Sequence, residues 1–160
     1  MRIRSGVIAL ILLAVPRPAH ALLCGTILDP ISVSATALAF GNYSAAAQST
    51  ANNTVTISCG LLGIDLLPNF TVGLSAGRAT VFSPRKMFFG TTNTLNYNIY
   101  TTPGFATIWG DGSSGTATQT FNSSLLSLGT INFTGYGRLP AGQFVAPGAY
   151  MDTLTVTVTF

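Results

Sequence analysis

Hydrophobic and polar residues alternate along much of this chain in short runs, each broken by Gly, Pro or Asn. The final run is the most regular. Asp152, Leu154, Val156, Val158 and Phe160 fall on one side, and Thr153, Thr155, Thr157 and Thr159 on the other. A period of two in β-branched residues predicts a strand, apolar on one face from Leu154 onward. Pro147-Gly148 predicts a turn before it. Such a strand can pair with earlier ones, but no later strand of the chain is expected to cover its other side. What does cover it is the functional question.

The same alternation marks earlier segments. Val33 to Phe40 is a candidate strand ended by Gly41-Asn42, and the small polar residues from Ser44 to Asn53 predict a loop. Thr54 to Cys59 and Phe70 to Leu74 alternate, with an unusually oily loop from Gly60 to Asn69 between them. Met87 to Phe89 is a short candidate, and Leu95, Tyr97 and Ile99 alternate with Asn96, Asn98 and Tyr100. Trp109 to Gly115 is rich in turn residues, followed by candidate strands at Thr116 to Phe121 and Thr130 to Tyr136. No segment has an amphipathic helical period; Leu125 to Leu128 allows one helical turn at most. Many short strands separated by turns predict an all-β sandwich. No internal repeat or linker divides it.

Residues 1–21 stand outside this pattern. Arg2 and Arg4 are basic, Gly6 to Val15 is apolar, and Ala19-His20-Ala21 is a small-x-small site. Together they predict a secretory signal peptide over 1–21, cleaved before Leu22, with one domain over 22–160. No stretch is long and apolar enough to predict stable membrane insertion. Cys24 raises a lipoprotein reading, but Leu23 before it is too large for that cleavage.

Removing the signal changes the charge. The formal +3 belongs to it, because Arg2, Arg4 and Arg17 leave together. Arg78, Arg85, Lys86 and Arg138 then balance Asp29, Asp65, Asp111 and Asp152. Without a basic stripe, nucleic acid is not an expected partner. Cys24 and Cys59 remain in an exported chain, where an oxidising compartment favours a disulfide over two free thiols.

The chemistry available is sparse. Beyond the signal the chain has no His and no Glu, so a Ser-His-Asp or Cys-His device is impossible. Scattered Asp residues make a poor metal site, so no cofactor or metal is expected. Asp111, between Gly110 and Gly112, could serve as a hydrolytic carboxylate, but reads better as a turn residue. Trp109, Tyr97 and Tyr100 could stack on sugar rings, though core packing is the simpler role. A binding or structural function is expected, not an enzyme.

Several segments carry a family resemblance. They are Phe40-Gly41-Asn42-Tyr43, Thr54 to Cys59, Arg85-Lys86-Met87, Leu95 to Tyr100, Trp109-Gly110-Asp111-Gly112, Tyr136 to Gln143 and Pro147 to Phe160. In this order the chain resembles the spore coat protein U domain, the fold of subunits in archaic, Csu-type chaperone–usher pili. The resemblance implies an incomplete immunoglobulin-like β-sandwich with an open groove beside the C-terminal strand. It implies export through the periplasm to the cell surface, in a pilus or coat. The implied partners are a periplasmic chaperone, an outer-membrane usher and other pilus subunits. In such assemblies a chaperone strand fills the groove first and the N-terminal extension of the next subunit replaces it.

Leu154, Val156, Val158 and Phe160 are then expected to floor that groove, although the same residues would be core in a closed sandwich. One departure matters. Only Leu22 and Leu23 lie between the expected cleavage site and Cys24, where ordinary subunits carry an alternating apolar donor segment. The chain therefore reads as an acceptor without a donor, either at a pilus end or in a coat that does not polymerise. Family tip subunits often have two domains, and this chain reads as one. Leu61, Leu62, Ile64, Leu66 and Leu67 form a candidate adhesive loop, with folding back onto the core as the alternative. The competing function is a free secreted coat or carbohydrate-binding module.

Overall fold

The computed structural model describes residues 31–59, 69–122 and 129–160, without the side chain of Cys59. The described strands are β1 (Ile31–Ala35), β2 (Ser49–Cys59), β3 (Phe70–Leu74), β4 (Arg85–Phe89), β5 (Asn93–Tyr100), β6 (Gln119–Phe121), β7 (Thr130–Leu139) and β8 (Val156–Thr159). No helix occurs among the described residues. One sheet has five strands in the order β1-β2-β7-β5-β4, and the other has three in the order β6-β3-β8. Every pairing is antiparallel.

Alternation decides what the two sheets hide between them. Val55 and Ile57 on β2, Leu95, Tyr97 and Ile99 on β5, and Phe133 and Leu139 on β7 point inward from the larger sheet. Phe70, Val72 and Leu74 on β3 meet them from the smaller one. Each large apolar side chain buried in this way contributes roughly 1.5–3 kcal/mol. Trp109 is fully buried and joins the two layers. Its backbone N–H donates to Ile99 O at 2.8 Å, and its indole Nε1 donates to Val72 O at 2.8 Å. The fold is an all-β, immunoglobulin-like sandwich.

Besides lengthening β4 to Arg85–Phe89 and β7 to Thr130–Leu139 and shortening β6 to Gln119–Phe121, the structure departs from the sequence reading at three places that shape the fold. Ser49 to Asn53 belong to β2, not to a loop, because they pair with Gly135 to Leu139 of β7. A ladder between main chains tolerates small polar residues that strand propensity alone disfavours. The first strand stops at Ala35 instead of Phe40. The Thr36 hydroxyl takes the N–H of Thr54 at 2.8 Å, capping the ladder, and the chain then turns inward. Leu38 and Phe40 pack over Gly137, where a Cβ would come within 2.7 and 2.9 Å of them.

The third difference is at the final run. Only Val156 to Thr159 form a strand, paired with β3 from Leu74↔Val156 to Thr71↔Thr159. Just before it, Met151 exchanges two hydrogen bonds with Phe88 of β4, at 2.8 and 3.1 Å. Residues 152–155 therefore cross from the edge of one sheet to the other. The two ends of that crossing are bonded to different sheets, so the run does not pair as one strand along its length.

Candidate functional site

A cleft of about 360 Å³ opens between residues 35–40 and residues 150–156. Leu38 and Phe40 line one wall, Leu154 and Val156 the other, and Ile99 and Asn53 also line it. Leu154, Val156 and Val158 are half-buried, in alternation with exposed Thr153, Thr155, Thr157 and Thr159. Val158 pairs with Val72 farther along β8. Phe160 is 65% exposed and meets Phe70 edge-on at 6.0 Å between ring centroids. Among the described residues β8 pairs with β3 alone, so its other edge presents main-chain groups without strand partners. An apolar face covered on one side only, beside an open strand edge, is the geometry a further strand would complete.

The crossing segment that shapes this cleft is held by one carboxyl group. Asp152 Oδ1 accepts from the backbone N–H of Arg78 at 3.0 Å and of Thr153 at 2.9 Å, and Oδ2 accepts from the Tyr97 hydroxyl at 2.8 Å. Gly77, at φ +77°, leaves room for that carboxyl; a Cβ there would collide with it. Farther along, Ser75 N donates to Thr155 O at 3.0 Å, and Thr155 N donates to the Ser75 hydroxyl at 2.9 Å. Burial, reinforced by the hydrogen bond to Asp152, holds the Tyr97 phenol well above the ordinary tyrosine range.

That shift has a measurable consequence. An unfolded tyrosine releases its proton near pH ~10. Folded Tyr97 keeps its proton above that value, so its stabilising contribution is complete below pH ~10 and is lost as pH rises further. Tyr97→Phe is expected to flatten the fall in stability between about pH 10 and 11, and to cost roughly 1.5–3 kcal/mol at neutral pH. Urea midpoints measured from pH 7 to 11 check both effects.

Arg85 lies behind the Tyr97 contact, with 0% of its surface exposed. Its Nε and Nη2 donate to Ser75 O at 3.0 and 2.9 Å, Nη2 also donates to Trp109 O at 2.7 Å, and Nη1 donates to Asn98 Oδ1 at 2.8 Å. Burial lowers its pKa. One guanidinium thus joins the end of β3, the Trp109 segment and β5. Asn98 in turn donates to Phe82 O at 2.8 Å.

The remaining candidates lie elsewhere. Trp109 and Tyr97 are core residues, and half-buried Tyr100 packs on Phe105 with 5.3 Å between ring centroids, so the three offer no shared stacking face. The Asp111 side chain accepts from Ser113 N at 2.9 Å and Ser113 Oγ at 2.7 Å, which makes it a turn residue and lowers its pKa. Among the described residues no three His, Cys, Asp or Glu side chains gather as a metal site, and no helix is long and apolar enough to cross a membrane. Cys24, the Cys59 side chain and the loop residues Leu61, Leu62, Ile64, Leu66 and Leu67 lie outside the described residues. Sequence reasoning missed Asn53, Arg85 and the anchoring role of Asp152. The signal for Asn53 was present, since it extends the inward alternation of Val55 and Ile57 by one step.

These features define a class: a two-sheet immunoglobulin-like sandwich in which, among the described residues, the outer edge of β8 has no strand partner and adjoins an apolar cleft. The chain belongs to the Spore Coat Protein U domain family, whose model matches residues 24–157. Among solved structures it is similar to a chain of the CsuC-CsuE chaperone-tip adhesion subunit pre-assembly complex, from archaic chaperone-usher Csu pili of Acinetobacter baumannii. The TM-score is 0.55 and the identity 21%, over 84% of this chain and 40% of that one. The chain thus spans two fifths of its neighbour's length, and at this identity the likeness is one of fold. No curated protein matches the sequence.

Proposed function

We propose that this chain is an exported structural subunit of a chaperone–usher pilus or coat, completed by a strand from another polypeptide. The observation that carries this reading is the β8 edge, without a strand partner among the described residues, beside a cleft lined by Leu154 and Val156. Strand addition suits such a site, because main-chain hydrogen bonds supply affinity and alternate side chains enter the cleft. Leu154, Val156, Val158 and Phe160 are the proposed groove residues. The neighbouring fold, taken from a chaperone–subunit complex, supports the same reading. The partners are then a periplasmic chaperone, an outer-membrane usher and other subunits, and the site of action is the cell surface. The short stretch between Ala21 and Cys24 supports an acceptor that gives no strand of its own. A Cys24–Cys59 disulfide belongs to the same proposal, because the chain passes through an oxidising compartment.

Co-expression with its chaperone is expected to raise the yield of folded protein strongly. A synthetic donor peptide of alternating apolar residues is expected to raise the melting temperature, since a ligand that binds only the folded state stabilises it by mass action. A monomer that melts cooperatively at high temperature and ignores both chaperone and peptide would instead be a free coat or binding module.

A further inference from the structure

Asn53 interrupts an apolar row. It shares the inward face of β2 with Val55 and Ile57 and is 8% exposed. Across the ladder it pairs with Gly135. Its Oδ1 has no hydrogen-bond partner among the described residues. That oxygen occupies the space a side chain on Gly135 would need, next to Ile99 and Trp109. A buried amide oxygen without a partner is a cost that Val or Leu at the same position would not incur. Asn53 also lines the cleft, so its amide can meet a partner there once it turns from Gly135.

Filling the cleft raises the stakes for this residue. While the cleft is open, water reaches its mouth. An entirely apolar strand would seal the amide in without a partner, whereas a strand bearing a hydroxyl or amide at the facing position would satisfy it. Main-chain groups of an inserted strand are directed at the β8 edge, so the partner must come from a side chain that points into the cleft.

We infer that Asn53 selects the inserted strand. The occupant is the N-terminal extension of a neighbouring subunit that carries one hydroxyl or amide side chain among its inward apolar positions. The Asn53 amide turns to hydrogen-bond that group on insertion. Discrimination comes from the penalty on the wrong strand as much as from the bond to the right one. This inference rests on the strand-acceptor reading above.

The test uses the full chain and fluorescent peptides of alternating apolar residues with Val at every inward position. In a matched series one inward Val at a time becomes Thr, which keeps the shape and adds a hydroxyl. One position is expected to bind about tenfold tighter as Thr than as Val. That preference is expected to vanish in Asn53→Leu. Should Asn53→Leu fail to fold, the wild-type Asn53 side-chain amide NMR signal is read instead, and is expected to shift with the Thr peptide relative to its Val twin. Val binding as well as Thr at every position, a Thr preference that survives Asn53→Leu, or an amide signal indifferent to the Thr hydroxyl overturns the inference and leaves the strand-acceptor reading standing. If no peptide of either kind binds, the strand-acceptor reading falls and the selection by Asn53 falls with it.

Discussion

Val156→Asp is expected to abolish capture by a chaperone or donor strand, while Thr157→Asp leaves capture largely intact. The two positions are neighbours on β8, but Val156 is half-buried and lines the cleft, whereas Thr157 is exposed on the other face. In the unoccupied chain a carboxylate at 156 can turn toward water in the cleft, so the free protein loses only part of its stability. Once a strand closes the cleft, that carboxylate is desolvated without a partner, at a cost of several kcal/mol. A loss of this size lowers affinity by a factor of about a thousand or more. Co-purification of each variant with the chaperone, alongside thermal melts of the free chain, separates binding from folding. Equal losses of capture at 156 and 157 would mean that the cleft side of β8 is not the binding face.

Arg85→Met carries the second large effect, on folding instead of binding. The substitution keeps much of the side-chain length but strips donors from Ser75 O, Trp109 O and Asn98 Oδ1. Each buried acceptor left bare costs roughly 1–3 kcal/mol. Against this stands the relief of no longer burying a cation, a cost visible in the lowered pKa of Arg85. With Ser75 O and Trp109 O left bare and Asn98 Oδ1 keeping only the Ile99 N–H, the acceptor side is expected to win by roughly 2 kcal/mol or more, a large share of a domain's usual ~5–15 kcal/mol. Arg85→Lys keeps the charge, but a single ammonium cannot span acceptors on separate segments, so it should fall between wild type and Met. Urea midpoints of the three proteins decide the order. A Met variant as stable as wild type would show that desolvation of the guanidinium cancels its hydrogen bonds.

The consequences differ for the cleft. Arg85 holds Ser75 from behind, and Ser75 in turn holds Thr155 just before β8. The strand edge offered to a partner is thus fastened to the buried cation through one residue. Asp152 fastens the same crossing from the Tyr97 side. Both groups fasten residues 152–155 in the crossing beside the cleft, Asp152 directly and Arg85 through Ser75.

Some of this was determined by the sequence alone. Alternation placed Val55, Ile57, Leu95, Tyr97, Ile99, Phe70, Val72 and Leu74 on inward faces, and the core contains all of them. It did so because a pleated strand sends successive side chains to opposite sides whatever its neighbours are. The lack of any Glu, and of any His after His20, likewise limited the chemistry before any fold was known. Tertiary structure decided the rest. It carried β2 back to Ser49 through main-chain pairing that polar side chains conceal, and stopped β1 at Ala35 where a threonine hydroxyl capped the ladder. It split the final run, which looks uniform from Asp152 to Phe160, into a crossing held by Asp152 and a short edge strand on β3. Periodicity records which way a side chain points within its own strand. Which sheet that strand joins, and which of its edges stays bare, depends on hydrogen bonds to segments distant in sequence, and these form only when the two sheets close over Trp109 and Arg85.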